Sequence, residues 1–335
     1  MSDTRIAMVH GSGGKATGEL IANIFAKEFQ NETLNQMEDS AVVDGSAKLA
    51  VTTDSFVVTP LIFRGGDIGR LAVCGTVNDL AMRGAVPKYL TCGFILEEGL
   101  SIETLRSVVH SMAETAREAG VAIVAGDTKV IEGNGGLYIN TAGVGFVPEG
   151  AEISAEGAKD GDVILVSGTM GDHHACILST RMSIETDVAS DCAPLNGMVK
   201  ELLDGGVRVH TLRDITRGGL GTVLKELAEA SGTVFSLKDG LVPVTDRVRD
   251  FCGLLGLDPL YMGNEGKMAV IVPAEDAERA LEIMRKNRYG RDAARIGSVR
   301  KANDDTEKGR LIMETAIGGK RYLDVLQGEG LPRIC

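Results

Sequence analysis

The sequence predicts a globular protein of mixed architecture, α/β or α+β, built as two domains. Strand-like apolar runs alternate with helix-like stripes along most of the chain. Glycine is abundant, 43 residues, and punctuates those segments at turns. The length of 335 residues suits two hydrophobic cores of ordinary domain size.

Taken in order, Ile21, Ile24, Phe25 and Phe29 form a helical stripe. Leu49 to Thr53 reads as a short strand ending at Asp54, and 68–84 as a helix of small residues. A strand follows over 89–96. Residues 102–119 form an amphipathic helix whose apolar face carries Leu105, Val109, Met112 and Ala116. Residues 121–125 and 137–147 read as further strands separated by a glycine-rich loop. The polar stretch 148–161 has no sustained periodicity and predicts the boundary between a first domain, 1–150, and a second, 151–318. In the second domain, 162–167 and 267–272 read as buried strands, and 175–180, 195–203, 220–230 and 277–286 as helices. From Gly318 the pattern weakens, so 319–335 is expected to be a flexible tail ending in Cys335.

Composition narrows the function. A formal net charge of -12 with no basic stripe argues against a nucleic-acid partner, because phosphate backbones require clustered Lys and Arg. No run reaches the roughly 20 apolar residues that a membrane-spanning helix needs. The N-terminal residues lack a secretory pattern, and a cytoplasmic location is expected. None of the six cysteines forms a C-x-x-C pair, which removes support for zinc ribbons and thioredoxin-like chemistry. Cys74, Cys92, Cys176, Cys192 and Cys252 read as reduced core thiols. Cys335, the last residue, stands apart from any core.

Five constellations carry candidate chemistry. Gly11-Ser12-Gly13-Gly14-Lys15 precedes a helical stripe, where glycine backbone and a lysine suit an anion, although the spacing is not that of a P-loop. Asp39, Asp54, Asp79 and Asp214 recur beside apolar elements, where a carboxylate is unfavourable unless it is paired or holds a metal. Their hard oxygens suit Mg²⁺. Gly126-Asp127-Thr128-Lys129 lies between strand-like segments and is compatible with a tight turn, with Lys129 facing either a site or water. Asn264-Glu265-Gly266-Lys267 precedes a strand and offers either a common turn or a general base. Finally, Gly328 and Gly330 flank a tail ending Pro332-Arg333-Ile334-Cys335. Those last eight residues can extend about 25 Å and present a thiol at their tip.

Asp39-Ser40-Ala41-Val42, Thr52-Thr53-Asp54-Ser55, Val77-Asn78-Asp79-Leu80-Ala81-Met82, Gly126-Asp127-Thr128-Lys129 and Arg213-Asp214-Ile215-Thr216-Arg217-Gly218-Gly219-Leu220 together resemble the ATP-binding signature of the PurM/SelD superfamily. Gly171-Asp172-His173, Asn264-Glu265-Gly266-Lys267 and the Pro-Arg-Ile-Cys terminus narrow the resemblance to the HypE family of hydrogenase maturation factors, carbamoyl dehydratases. It spans nearly the whole chain, and the terminal tetrapeptide is its most specific part. His174 departs from it, because the family usually has glycine there; a left-handed turn position, which histidine tolerates better than most residues, is the expectation.

The resemblance implies a PurM-like N-terminal α/β domain whose strands pair across a homodimer, a PurM-like C-terminal α+β domain, and ATP in the cleft between them. It implies Mg²⁺–ATP held by Asp39, Asp54, Asp79 and Asp214, with Gly126, Asp127 and Thr128 contributing to the nucleotide site and Lys15 closing over the phosphates. It also implies that HypF places a carbamoyl group on Cys335, that ATP-dependent dehydration converts it to a thiocyanate, and that the cyano group passes to iron on a HypC–HypD complex. In that scheme Glu265 is the base and Lys129 orients the carbamoyl oxygen. A selenophosphate-synthetase-like enzyme would share the ATP site but usually has a thiol or selenol in the N-terminal glycine loop, where this chain has Ser12. A cyclo-ligase would need no terminal cysteine. A non-catalytic nucleotide-sensing adaptor would tolerate loss of Asp79.

Overall fold

The computed structural model describes residues 5–12, 15–37, 40–315 and 317–326. In the first half a helix α1, Lys15–Leu20, continues into a π-helical turn, Ile21–Ala26, and buries Leu20, Ile24 and Phe25. There follow β1 (Leu49–Phe56), the two-residue pair β2 (Ile62–Phe63) and β3 (Gly66–Asp67), and α2 (Ile68–Ala81). Next come β4 (Val86–Glu97), α3 (Ile102–Ala119), β5 (Ala122–Ile131) and β6 (Leu137–Phe146). The main sheet has the order β1-β6-β4-β5. Only β4 and β5 are parallel, and α3 makes the crossover that a parallel pair requires.

Local chemistry fixes the two helices. The Asp67 carboxylate caps α2 by accepting the backbone N–H groups of Gly69 and Arg70 at 2.8 and 2.9 Å. The Ser101 hydroxyl begins α3, and Gly120, at φ 70°, ends it in the left-handed turn that glycine accepts without strain. Gly69 lets the helices touch, because a Cβ there would meet the Met112 side chain at 2.7 Å. Between them Leu105, Val109 and Met112 are removed from water, each worth about 2 kcal/mol by area.

The second half contains β7 (Asp162–Val166), α4 (Asp172–Arg181), α5 (Asn196–Asp204), β8 (Thr211–Asp214), α6 (Gly219–Ser231) and β9 (Val234–Lys238). It ends with α7 (Asp246–Leu255), β10 (Met268–Pro273), α8 (Ala277–Lys286), β11 (Ala294–Arg300), β12 (Leu311–Glu314) and β13 (Lys320–Leu323). These strands form one sheet in the order β13-β12-β9-β11-β7-β10-β8. Every residue of β7 and β10 is buried, as continuous apolar runs require when both faces are covered. One core joins α6 to this sheet, another joins α5 and α8 to its opposite face, and α4 and α7 pack into the core of the first half. No helix among the described residues is long and apolar enough to cross a membrane.

Three expectations are corrected. Strand β5 runs straight through Gly126–Lys129, so that segment is paired strand and not a turn. Strand β1 does not end at Asp54 but continues to Phe56, paired with β6 throughout. The segment expected to be tail from residue 319 begins inside the second sheet, since Lys320–Leu323 pairs antiparallel with β12.

Candidate functional site: an acidic cleft between the domains

The edge strand β1, the last turn of α2 and the edge strand β8 meet across the domain boundary. There they enclose a cavity of about 370 Å³ lined by Thr52, Asp79, Arg83, Arg213, Asp214 and Thr216 among others. The Asp79 carboxylate accepts the Thr52 hydroxyl at 2.8 Å, which ties α2 to β1. Asp54 points to the same side of β1 as Thr52, since alternate strand residues share a face, and stands over Gly75 of α2. A side chain at residue 75 would press on Phe56 at 2.9 Å and approach the Asp54 carboxylate at 3.6 Å. Asp214 ends β8 opposite Met268 of β10 and is 8% exposed.

Burial and neighbouring charge raise the proton affinity of Asp214 and Asp79. Burial, then the neighbouring charges of Asp79 and Asp54, push the Asp214 carboxyl up to about 7. Asp79 is also raised, first by burial and further by Asp54, against the lowering effect of the Thr52 hydroxyl. Glu265 lies deeper and is raised well above the usual carboxylate range by burial and then by Cys192, Asp214, Asp191 and Asp54.

The loop 262–267 that carries Glu265 is held by three segments of the second domain. The Glu265 N–H donates to Asp191 at 3.0 Å, the Asn264 N–H donates to the Ile215 carbonyl at 2.9 Å, and the Asn264 side-chain oxygen accepts the Gly171 N–H, also at 2.9 Å. Gly266 allows the approach, because a Cβ there would overlap the Asp191 backbone. Opposite, Asn78 of α2 donates to the Ala193 carbonyl at 3.1 Å and accepts the Leu195 N–H at 2.8 Å. Asn78 therefore clamps the second domain while its neighbour Asp79 faces the cleft. With these bonds made, one oxygen of Glu265, Oε1, is buried and has no hydrogen-bond partner. An orphaned carboxylate oxygen is costly unless a reactant or cation completes it.

Among the described residues, no group of three or more His, Cys, Asp and Glu side chains stands ready to hold a metal ion by itself. Mg²⁺ typically takes one or two carboxylates and completes its shell with water and substrate phosphates. Clustered carboxylates of hard oxygen fit that pattern, and Asp54, Asp79 and Asp214 could supply such ligands.

Not every residue singled out from the sequence joins this cleft. The row Asp54, Thr141, Cys92, Gly126 runs across the sheet on one face, so Asp127 and Lys129 stand on the other. There Lys129 pairs with Asp127 at 2.9 Å, both exposed, and holds that carboxyl below its usual range. Gly126 and Thr128 belong to the covered side, and the whole edge run Gly126–Lys129 borders a second cavity of about 370 Å³ with Phe25, Phe29, Cys92 and Phe94. Lys15 opens α1 at the surface and pairs with Glu19 at 3.8 Å. Asp39, Cys335 and its flanking Gly328 and Gly330 lie outside the described residues. Asp191 is a neighbour of the Glu265 loop that the sequence did not reveal, since a single Asp in the aperiodic stretch 186–194 gives no signal; it pairs with Lys267, the last residue of the 264–267 constellation. The five described cysteines are buried and unpaired, as expected.

His174 corrects a further expectation. It occupies the first turn of α4, and the left-handed residue is Gly171, φ 89°. Its ring accepts the Gly263 N–H at 3.3 Å, behind the Glu265 loop, and its Nε2 is buried without a partner. Burial, helped by His173 and Arg181, lowers its pKa from 6.5 to about 4. The folded state keeps this ring neutral while the unfolded chain protonates below 6.5, so stability is complete above that pH and is lost as pH falls towards 4. His174→Gln should therefore flatten the acid limb of a plot of Tm against pH, worth up to about 3 kcal/mol near pH 4. Superimposable acid limbs would contradict this.

Residues 37–147 match the N-terminal domain of AIR synthase related proteins and residues 159–309 match the C-terminal domain. The chain is 51% identical to carbamoyl dehydratase HypE of Azotobacter vinelandii over 98% of its own length and 97% of the relative's. It is 46% identical to carbamoyl dehydratase HypE of Escherichia coli K12, over 98% and 99%. Its fold matches a crystal structure of hydrogenase maturation protein HypE in complex with ATP at a TM-score of 0.94, with 49% identity and coverage of 98% and 99%. It matches a chain of a HypE–HypF complex at a TM-score of 0.79, with 46% identity and coverage of 92% and 99%. Thiamine monophosphate kinase from Aquifex aeolicus, 20% identical at a TM-score of 0.62 over 92% and 97%, shares the fold.

Proposed function

The chain belongs to the HypE family of carbamoyl dehydratases, and on that premise we propose that it uses ATP to dehydrate a carbamoyl group carried on the sulfur of Cys335. The observation that carries this reading is the buried, unpartnered oxygen of Glu265 beside the acidic cleft of Asp54, Asp79 and Asp214. It pairs a base of high proton affinity with a site suited to metal–polyphosphate. A relative in this family is described in complex with ATP, and another in complex with HypF, which supports both as ligand and carbamoyl donor here.

The reaction balances in two steps. The carbamoyl oxygen attacks the γ-phosphorus of ATP and one N–H proton is released, giving S–C(=NH)–OPO₃²⁻ and ADP. The remaining N–H proton and the C–O bond are then lost together, giving S–C≡N and HPO₄²⁻. Phosphorylation is needed because oxide is a poor leaving group and phosphate a good one. Glu265 takes the nitrogen proton in its ionised form, for which its raised proton affinity makes it a stronger base than an ordinary carboxylate. Mg²⁺, when bound with ATP, offsets the charge developing on the transferred phosphoryl group. Asp54, Asp79 and Asp214 would position that ion, Lys15 would cover the phosphates, and the cavity beside Gly126 and Thr128 has aromatic walls suited to a nucleotide base. Asp39 is assigned to the same metal set. The cyano group then passes to iron on a HypC–HypD complex.

The open face of the first sheet supports a homodimer. Val51 and Ile95 lie exposed there beside Asp127 and Lys129, an apolar surface that a second copy would cover. In the dimer Lys129 would leave bulk water; facing away from the cleft that holds Glu265, it polarises the carbamoyl oxygen only where the tail presents that group at the covered face.

Intact-mass spectrometry tests the scheme. Incubation with HypF, carbamoyl phosphate and ATP should add one carbamoyl group to the tail peptide, followed by a species lighter by one water. Glu265→Gln should accumulate the carbamoyl form. A modification mapping to any other residue would overturn the assignment.

A further inference from the structure

A second pocket between the domains has the opposite character to the acidic cleft. It has a volume of about 560 Å³, and its walls include Arg70 from α2, Lys267 beside the Glu265 loop, and Arg288 and Arg291 from the turn after α8. Two carboxylates, Asp191 and Asp292, also line it, so four cations face two anions in a protein of net charge -12. The arrangement is built, not incidental. Lys267 is nearly buried and ion-paired with Asp191 at 3.2 Å, its stem lying over Gly168, where a Cβ would meet its Cε at 2.8 Å. Arg70 bonds Glu118 at 3.1 Å and the Tyr289 hydroxyl at 3.1 Å, and Glu118 also receives Arg288. Arg291 has neither a hydrogen bond nor an ion pair among the described residues.

We propose that this pocket binds a phosphate-sized tetrahedral dianion, with Arg291 and Arg288 as its outer clamps and Lys267 as its inner cation. Guanidinium forks match the paired oxygens of such an anion, and charge-assisted bonds are the strong ones. The rival occupant, a carboxylate, has one oxygen pair and would leave the third and fourth donors unfilled. The pocket also touches the chemistry. Asp191 gives one oxygen to Lys267 and the other to the Glu265 N–H, so an anion drawing Lys267 away would loosen the loop that presents the base. A role as the holding site for released phosphate rests on the dehydratase reading; the binding site itself does not.

The test is calorimetric titration of the full chain with inorganic phosphate at fixed ionic strength, without nucleotide. Arg288 and Arg291 are exposed, so their variants should fold. One phosphate per chain is expected, with Kd weakened about tenfold by Arg291→Ala and about a hundredfold by the Arg288→Ala/Arg291→Ala pair. Arg291→Lys should fall between wild type and alanine, and ATP affinity should stay within about twofold in all three. Phosphate binding unchanged in the double variant, or phosphate displaced stoichiometrically by ADP in wild type and variants alike, would overturn the proposal. Either result would leave the dehydratase reading standing, because no carbamoyl group enters the measurement.

Discussion

Cys335→Ala should bring thiocyanate formation to the assay floor, a loss on the order of a thousandfold or more, while ATP binding stays at its wild-type level. The size of the effect follows from the role: a covalent carrier is removed, and not a contact that merely lowers a barrier. No other thiol can substitute. Cys74, Cys92, Cys176, Cys192 and Cys252 are all buried. Burial raises the proton affinity of the Cys92, Cys176 and Cys252 thiols, with Cys252 at about 11, so little reactive thiolate is available there. Cys335→Ser should fail as completely, since a hydroxyl remains un-ionised at neutral pH. The measurement is carbamoyl-dependent phosphate release together with the intact mass. Phosphate release that persists in Cys335→Ala would show that the carrier lies elsewhere.

Asp79→Asn should lower ATP-dependent turnover by about a hundredfold or more and leave the fold at least as stable as before. The two directions have one cause. Asp79 is half-buried beside Asp54 and Asp214, and its raised proton affinity means that the ionised form is disfavoured among these carboxylates. Stability from this group is greatest where it is protonated and is lost as pH rises through its folded pKa. Asparagine keeps an acceptor for the Thr52 hydroxyl but removes the charge, so the repulsion disappears together with a metal ligand. Melting curves at pH 8 without metal should show an equal or higher Tm for the variant. Added Mg²⁺–ATP should raise the wild-type Tm more than the variant's. A lowered Tm would mean that Asp79 is a structural ion-pair partner, and full activity would favour a nucleotide-sensing adaptor.

The helix 102–119 was legible to the residue because its apolar stripe, serine cap and terminal glycine agree with one another. Helix α8 was equally legible, its period unbroken from Ala277 to Lys286. Strands β8, β9, β11 and β12 and helix α7 were not read from the sequence. Each strand is seven residues or shorter and gains its place from neighbours distant in the chain. Gly126-Asp127-Thr128-Lys129 looked like a turn on composition, yet pairing with β4 holds it extended, since tertiary hydrogen bonds outweigh local preference.

What the sequence determined by itself was chemical identity: which carboxylates, which lysines and which terminal thiol are present, in an order that matches one family. Periodicity also determined the long helices, because an amphipathic stripe is a local property. Only the tertiary structure decided which of those groups meet. Asp54, Asp79, Asp214 and Glu265 come from four separate segments and share one cleft, whereas Asp127 and Lys129, close in sequence to the paired Gly126, face the opposite side of the sheet. Proximity across a domain boundary depends on sheet register and on how α2 is clamped by Asn78, and neither leaves a trace in the spacing of residues along the chain.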